Sequence, residues 1–176
     1  MTEAEQRRRG VEPGVALKGI EKPGALIPYC SSCEFNLLIP ADPSAIGEVS
    51  AGLNELLASR QWPEDEVMRV ELALQEALAN AVRHGCRNDP SKKVLCCVTL
   101  NAAGELVIVV RDSGPGFDVT AVASPLEVGN LLKPSGRGVF LINQLMDSVE
   151  FTDEGRRVLM RKRCREPGAA ARISPS

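Results

Sequence analysis

Glu76 and Asn80 stand four residues apart in the run Glu71-Leu72-Ala73-Leu74-Gln75-Glu76-Ala77-Leu78-Ala79-Asn80-Ala81-Val82-Arg83-His84-Gly85. A helix would place this carboxylate and this amide on one face. A carboxylate can take a proton from an attacking hydroxyl or water, and an amide oxygen can serve a hard cation. Two glycine motifs follow in order, Asp112-Ser113-Gly114-Pro115-Gly116 and Gly136-Arg137-Gly138. The first is an acidic residue at a strand end followed by a sharp turn. The second is a glycine pair opening a helix, where backbone N–H groups can face phosphate. Each motif alone is commonplace: a polar helix face turned to water, or an ordinary Asp-Ser-Gly turn. The ordered set points to an ATP site.

Roles follow from that chemistry. Asn80 is the candidate Mg2+ ligand, and Glu76, one helical turn earlier, is the candidate general base for γ-phosphoryl transfer. Asp112 can accept the exocyclic amine of adenine, a donor that guanine lacks at that position. Gly114 and Gly116 supply backbone angles or a close approach that larger residues would block. The amides of Gly136 and Gly138 can meet phosphate at the positive end of a helix, with Ser135 as its cap. The loop from about Val119 to Pro134 reads as an ATP lid. Lys133 and Arg137 are either cations for the β- and γ-phosphates or solvated lid charges. His84, the one histidine of the chain, closes the ATP-site helix, where a cation is favoured.

The elements that must position these residues are legible in the patterning. Glu34 to Ile39 reads as a strand. Asp42-Pro43 supplies a cap and a first-turn proline for a helix to about Arg60. Pro63 with Glu64, Asp65 and Glu66 opens the next helix, which runs to His84 with Gly85 as its stop. Lys92 to Asn101 and Glu105 to Arg111 form a hairpin around Ala102-Ala103-Gly104. A loop from Gly116 to Ser135 precedes a helix over Val139 to Met146. A last hairpin joins Val149 to Thr152 with Arg156 to Lys162 around Asp153-Glu154-Gly155. The order βααββ, loop, αββ predicts an α+β fold with helices on one face of a mostly antiparallel sheet. Residues 1–33, rich in charge, Gly and Pro, read as a flexible arm, 34–163 as the ATPase domain and 164–176 as a disordered tail.

Composition fits one soluble domain: 176 residues, 44% hydrophobic and 25% charged, support a single core. A net charge of −2 and 3% aromatic residues argue against direct nucleic-acid binding, which needs a basic field or stacking rings. No apolar run approaches the roughly 18 to 20 residues of a membrane span and no signal-peptide pattern opens the chain, so no membrane association and a cytoplasmic location are expected. The six cysteines read as reduced thiols, with Cys96 and Cys97 on opposite faces of one strand. Cys30-x-x-Cys33 leaves zinc or a redox switch as alternatives, though a tetrahedral zinc site would need a second pair.

The three motifs resemble the N, G1 and G2 boxes of the GHKL ATPase superfamily, whose members include gyrase-type ATPases, Hsp90 chaperones, histidine kinases and MutL proteins. Leu74 to Gly85, Asp112 to Asp118 and Ser135-Gly136-Arg137-Gly138-Val139-Phe140-Leu141-Ile142 are most similar to the anti-sigma factor serine/threonine kinases of bacterial partner-switching systems. That resemblance spans about residues 34 to 163. It implies a two-layer α/β sandwich of the Bergerat type and ATP with Mg2+ as cofactors. It also implies a protein-serine kinase that sequesters a sigma factor and phosphorylates a STAS-domain anti-anti-sigma protein, acting as a homodimer. The sporulation-type kinases carry an arginine where this chain has Pro134, and Arg137 is the substitute. Two other readings stand beside this one: a sequestering adaptor that binds nucleotide without useful transfer, and a stand-alone ATPase.

Overall fold

Apolar residues of the strands, and those at every third or fourth position of the helices, decide which surfaces meet. The computed structural model describes residues 33–116 and 134–164. Strand β1 (Phe35–Pro40) leads through Asp42, whose carboxylate accepts from Ser44 N–H at 2.8 Å, and a 3₁₀ turn Pro43–Ala45 into helix α1 (Ile46–Ser59). Helix α2 (Glu64–Asn80) continues into a π turn (Ala81–Gly85). Strands β2 (Lys93–Leu100) and β3 (Glu105–Asp112), helix α3 (Pro134–Leu145), and strands β4 (Ser148–Thr152) and β5 (Arg157–Arg163) complete the order.

The strands form one sheet in the order β1-β2-β3-β5-β4, and each of these pairings is antiparallel. Register aligns Leu37, Cys96, Val110 and Val158 in one row, and Val98, Ile108 and Met160 in another. These residues are buried together with Val49, Leu53 and Leu57 of α1, Val70, Leu74 and Leu78 of α2, and Ile142 of α3. The sheet therefore carries its helices on one face, and the fold is the expected α+β arrangement. Cys96 lies on that core face, whereas Cys97 opposes Asn36 on the other.

The helical run of α2 and its π turn ends at Gly85, the expected stop, but its last turn is widened: the Cys86 N–H bonds the Ala81 carbonyl at 2.8 Å, five residues back. Left-handed backbone appears two residues later, at Arg87 and Asn88. Helix α3 starts at Pro134, five residues before the expected Val139. Its glycines carry little helix propensity, while Pro134 suits a first helical position because its missing N–H would be unpaired there anyway. The expected arm (1–33, apart from Cys33), the lid (119–134, apart from Pro134) and the tail (164–176, apart from Cys164) lie outside the described residues. Among the described residues no helix is long and apolar enough to cross a membrane.

Candidate functional site

Helix α2 presents Glu76 and Asn80, both half-buried, on the side that meets the first turns of α3. Gly138 makes this possible. A side-chain carbon there would lie 2.8 Å from Glu76 Oε2 and 3.0 Å from Asn80 Nδ2, inside ordinary contact distance. The absent side chain lets α3 close onto the carboxylate–amide pair. The N box and the glycine pair, 58 residues apart between Asn80 and Gly138, thus form one surface.

The second half of the site is built on Asp112, the last residue of β3. Register places it in the row of Ile39 and Val94, so the strand delivers a carboxylate to the core face. It is 7% exposed. Its Oδ1 accepts the Gly114 N–H at 2.8 Å, and its own N–H bonds the Arg156 carbonyl at 2.9 Å. Burial pushes the Asp112 carboxyl above the usual carboxylate range, opposed by the Gly114 N–H and the nearby Arg156 charge. Gly85 packs directly against this carboxylate, and Gly114 packs against the Gly85 carbonyl. A β-carbon at either position would clash. Gly116, at φ +83, has a conformation and a neighbouring Glu154 carbonyl that exclude a side chain.

One narrow cleft touches both halves, lined by Asn80 and Asp112 with Ala77, Val110, Ile142 and Phe151 among its walls. Its free volume is about 20 Å³, so it marks where apolar side chains meet the buried Asp112 acceptor rather than an open chamber for a base. A larger hollow of about 260 Å³ lies round the end of β3, against Leu38, Leu95 and Arg111 and also Asp112, Gly114 and Arg156, so Asp112 borders both spaces.

Among the other candidates, Arg137 is exposed on the first turn of α3. Ser135 is the second residue of that helix rather than the residue before it, so its place differs from that of the expected cap. Gly136 lies in the first turn, where amides lack intrahelical partners. Gly138 lies a turn deeper, where an α-helix directs the N–H to the carbonyl four residues back. Its contribution is close packing on Glu76 and Asn80 rather than an open amide. Lys133 lies outside the described residues. His84 is exposed in the π turn. Among the described residues no group of three or more His, Cys, Asp or Glu forms a metal cluster.

The sequence reading missed three contributors. Gly85 holds the space for Asp112, and Arg156 anchors that residue's backbone. The third is Lys162, 4% exposed, which reaches Glu66 at 3.1 Å, Asp147 at 3.6 Å and the Leu145 carbonyl at 3.0 Å. Lys162 shares the core-facing parity of Val158 and Met160, which was the available signal.

Comparison with known proteins identifies the family and the fold. Residues 39–162 match the family model described as histidine kinase-like ATPase domain. The serine-protein kinase RsbW of Listeria monocytogenes serotype 4a (strain HCC23) is 27% identical over 136 residues, covering 73% of this chain and 86% of that protein. The serine-protein kinase RsbW of Bacillus cereus (strain AH820) is likewise 27% identical over 136 residues, covering 73% and 84%. A crystal structure of the RsbU and RsbW domains of Rv1364c from Mycobacterium tuberculosis superposes with a TM-score of 0.52 at 19% identity. It covers 74% of this chain but only 32% of that one, and the likeness is one of fold.

Proposed function

Because the chain belongs to the histidine kinase-like ATPase domain family, we propose that it is an ATP-dependent serine-protein kinase that also acts as an anti-sigma factor. In this reading it sequesters a sigma factor and phosphorylates a serine of a STAS-domain anti-anti-sigma protein, working as a homodimer in the cytoplasm. The observation that carries the reading is the convergence of Glu76 and Asn80 against Gly138, beside a cleft that ends at buried Asp112. The serine-protein kinases named above are the relatives that support the choice of acceptor.

The residues fit a magnesium nucleotide. Asn80 offers a neutral oxygen and Glu76 a carboxylate on the same helix face, the oxygen donors a hard cation and a phosphate chain require. Bound Mg2+–ATP supplies a transferable phosphoryl group whose charge the metal neutralises. Asp112 would select the base by accepting its amine, Gly114 and Gly116 allow the tight turn that follows it, and the first-turn amides of α3 would meet the phosphates. Glu76 takes the proton of the acceptor hydroxyl, and its fixed place against α3 limits the geometries it can adopt. Arg137 offers positive charge at the phosphate end. A phosphate on the acceptor serine adds roughly two negative charges, which weakens its complex with the kinase and drives partner exchange.

Transfer of label from γ-labelled ATP to STAS-domain proteins of the same cell tests the proposal, with Glu76→Gln as control. Labelled serine with the wild type and none with Glu76→Gln is the expected result. ATP binding without transfer to any of them would leave a sequestering adaptor, and phosphate release without a protein acceptor would leave an ATPase.

A further inference from the structure

The chain two residues before β1 and the outer face of β2 bring two thiols together. Cys33 Sγ and Cys97 Sγ lie 2.7 Å apart, well inside the separation of about 3.5–4.0 Å at which nonbonded heavy atoms rest. Strand pairing produces this approach: Asn36 opposes Cys97, and the Glu34 N–H bonds the Val98 carbonyl at 2.9 Å. The chain at Cys33 is therefore held against β2 before any bond between sulfurs exists. Closure to a disulfide, with S–S of about 2.05 Å, needs a movement of roughly 0.7 Å.

The neighbourhood separates these two thiols from Cys86 and Cys96. Cys33 is half-buried and so reachable by a small oxidant, while Cys97 is 6% exposed. The Thr99 hydroxyl lies 3.8 Å from Cys33 Sγ, in position to donate to it. Cys96 follows the opposite parity into the core, where burial pushes its thiol far above the ordinary range. Cys86 is also fully buried and directed to the Lys93 carbonyl at 3.9 Å.

We infer that Cys33 and Cys97 form an oxidisable dithiol that closes into an intrachain disulfide across the outer face of the sheet. With hydrogen peroxide as oxidant, the Cys33 thiol is oxidised to a sulfenic acid and peroxide is reduced to water. The Cys97 sulfur then attacks the Cys33 sulfur, forming the S–S bond and releasing the sulfenic oxygen as a second water that takes up the Cys97 proton. A thiol reductant returns two electrons and two protons. The bond would tie the chain entering β1 to β2 on the face opposite the α2–α3 site. The inference stands independently of the proposed kinase activity.

The test uses the full chain, first reduced, then treated with graded hydrogen peroxide, alkylated, and digested without reduction for mass spectrometry. The expected product is a monomer lighter by two hydrogens, with fragment ions joining Cys33 to Cys97, reversed by dithiothreitol. The link should persist in Cys30→Ser and disappear in both Cys33→Ser and Cys97→Ser. Cys33→Ser sits at a half-exposed position outside the strand and keeps the test valid if Cys97→Ser folds poorly. A Cys30–Cys33 bond, a link between two chains, or sulfinic acid formed with both peptides still separate would overturn the inference.

Discussion

Replacing Gly85 by alanine tests the idea that the π turn exists to make room for Asp112. A β-carbon at position 85 would lie 2.6 Å from Asp112 Oδ1, roughly 1 Å inside nonbonded contact. Relief requires the carboxylate to move, and that movement breaks the 2.8 Å bond from the Gly114 N–H. A hydrogen bond to a charged group contributes about 1.5–3 kcal/mol, while glycine-to-alanine in helical backbone returns about 1 kcal/mol. The net expectation is destabilisation of about 0.5–2 kcal/mol in denaturant titration. Nucleotide affinity by calorimetry should fall roughly 10- to 150-fold, because the same carboxylate is the proposed acceptor for the base. In an Asp112→Ala background the clashing atoms are gone, so the alanine at 85 should become neutral or stabilising. Wild-type affinity for Gly85→Ala, or an undiminished stability loss in the Asp112→Ala background, would refute the reasoning.

Asn80→Ala should weaken nucleotide binding in magnesium and leave binding in EDTA nearly unchanged; equal losses in both would remove the metal role from Asn80. The raised Asp112 carboxyl carries a sign that can be checked. Its folded pKa lies above its unfolded value of 3.8, so ionisation opposes folding at neutral pH and that penalty vanishes as pH falls below the unfolded value. Asp112→Asn should therefore be more stable than wild type at pH 7, by a margin that shrinks on acidification, while losing ATP. Lys162→Met leaves Glu66 buried without its cation, an effect of about 3–5 kcal/mol. Adding Glu66→Gln should recover part of it, and a loss below about 1 kcal/mol in the single variant would show the cluster to be solvated.

Local patterns carried much of the fold. The apolar runs of the strands and the apolar spacing of α1 and α2 mark the elements, although β2 buries five consecutive residues and does not alternate, and Asp42-Pro43 marked a helix start that the Ser44 hydrogen bonds bear out. Long-range causes were hidden. A glycine after a helix suggests a left-handed cap from sequence alone, but the demand at Gly85 comes from Asp112, 27 positions later. Glu66 looked like a first-turn acid favoured by the helix dipole, and its close cation is Lys162 on β5. Gly136 and Gly138 carry low helix propensity, and at Gly138 the missing side chain allows close packing on Glu76 and Asn80. The cysteine reading found the parity of Cys96 and Cys97 but not the meeting of Cys97 with Cys33, because pairing register is a property of two strands.

These contacts also fix the relative placement of the two helices that make the site. Gly138, near the start of α3, meets Glu76 and Asn80 near the end of α2. Leu145, at the other end of α3, shares Lys162 with Glu66 near the start of α2. The helices are therefore antiparallel and fastened at both ends, by a charged clamp at one and an absent side chain at the other. Ten residues separate Glu66 from Glu76, about 15 Å of helix. Within that span both helices bury apolar residues in the common core, among them Val70 and Ala73 of α2 and Ile142 of α3. Such a packed rod resists local deformation, so loosening the Lys162 end lets α3 pivot or slide relative to α2. The distance between Glu76 and the first turn of α3, the turn proposed to meet phosphate, would then depend on an ion pair remote from that turn. This coupling makes Lys162 a positioning residue whose loss should lower the rate of transfer more than the affinity for ATP, a split that a purely global loss of stability would not produce under conditions where the variant remains folded.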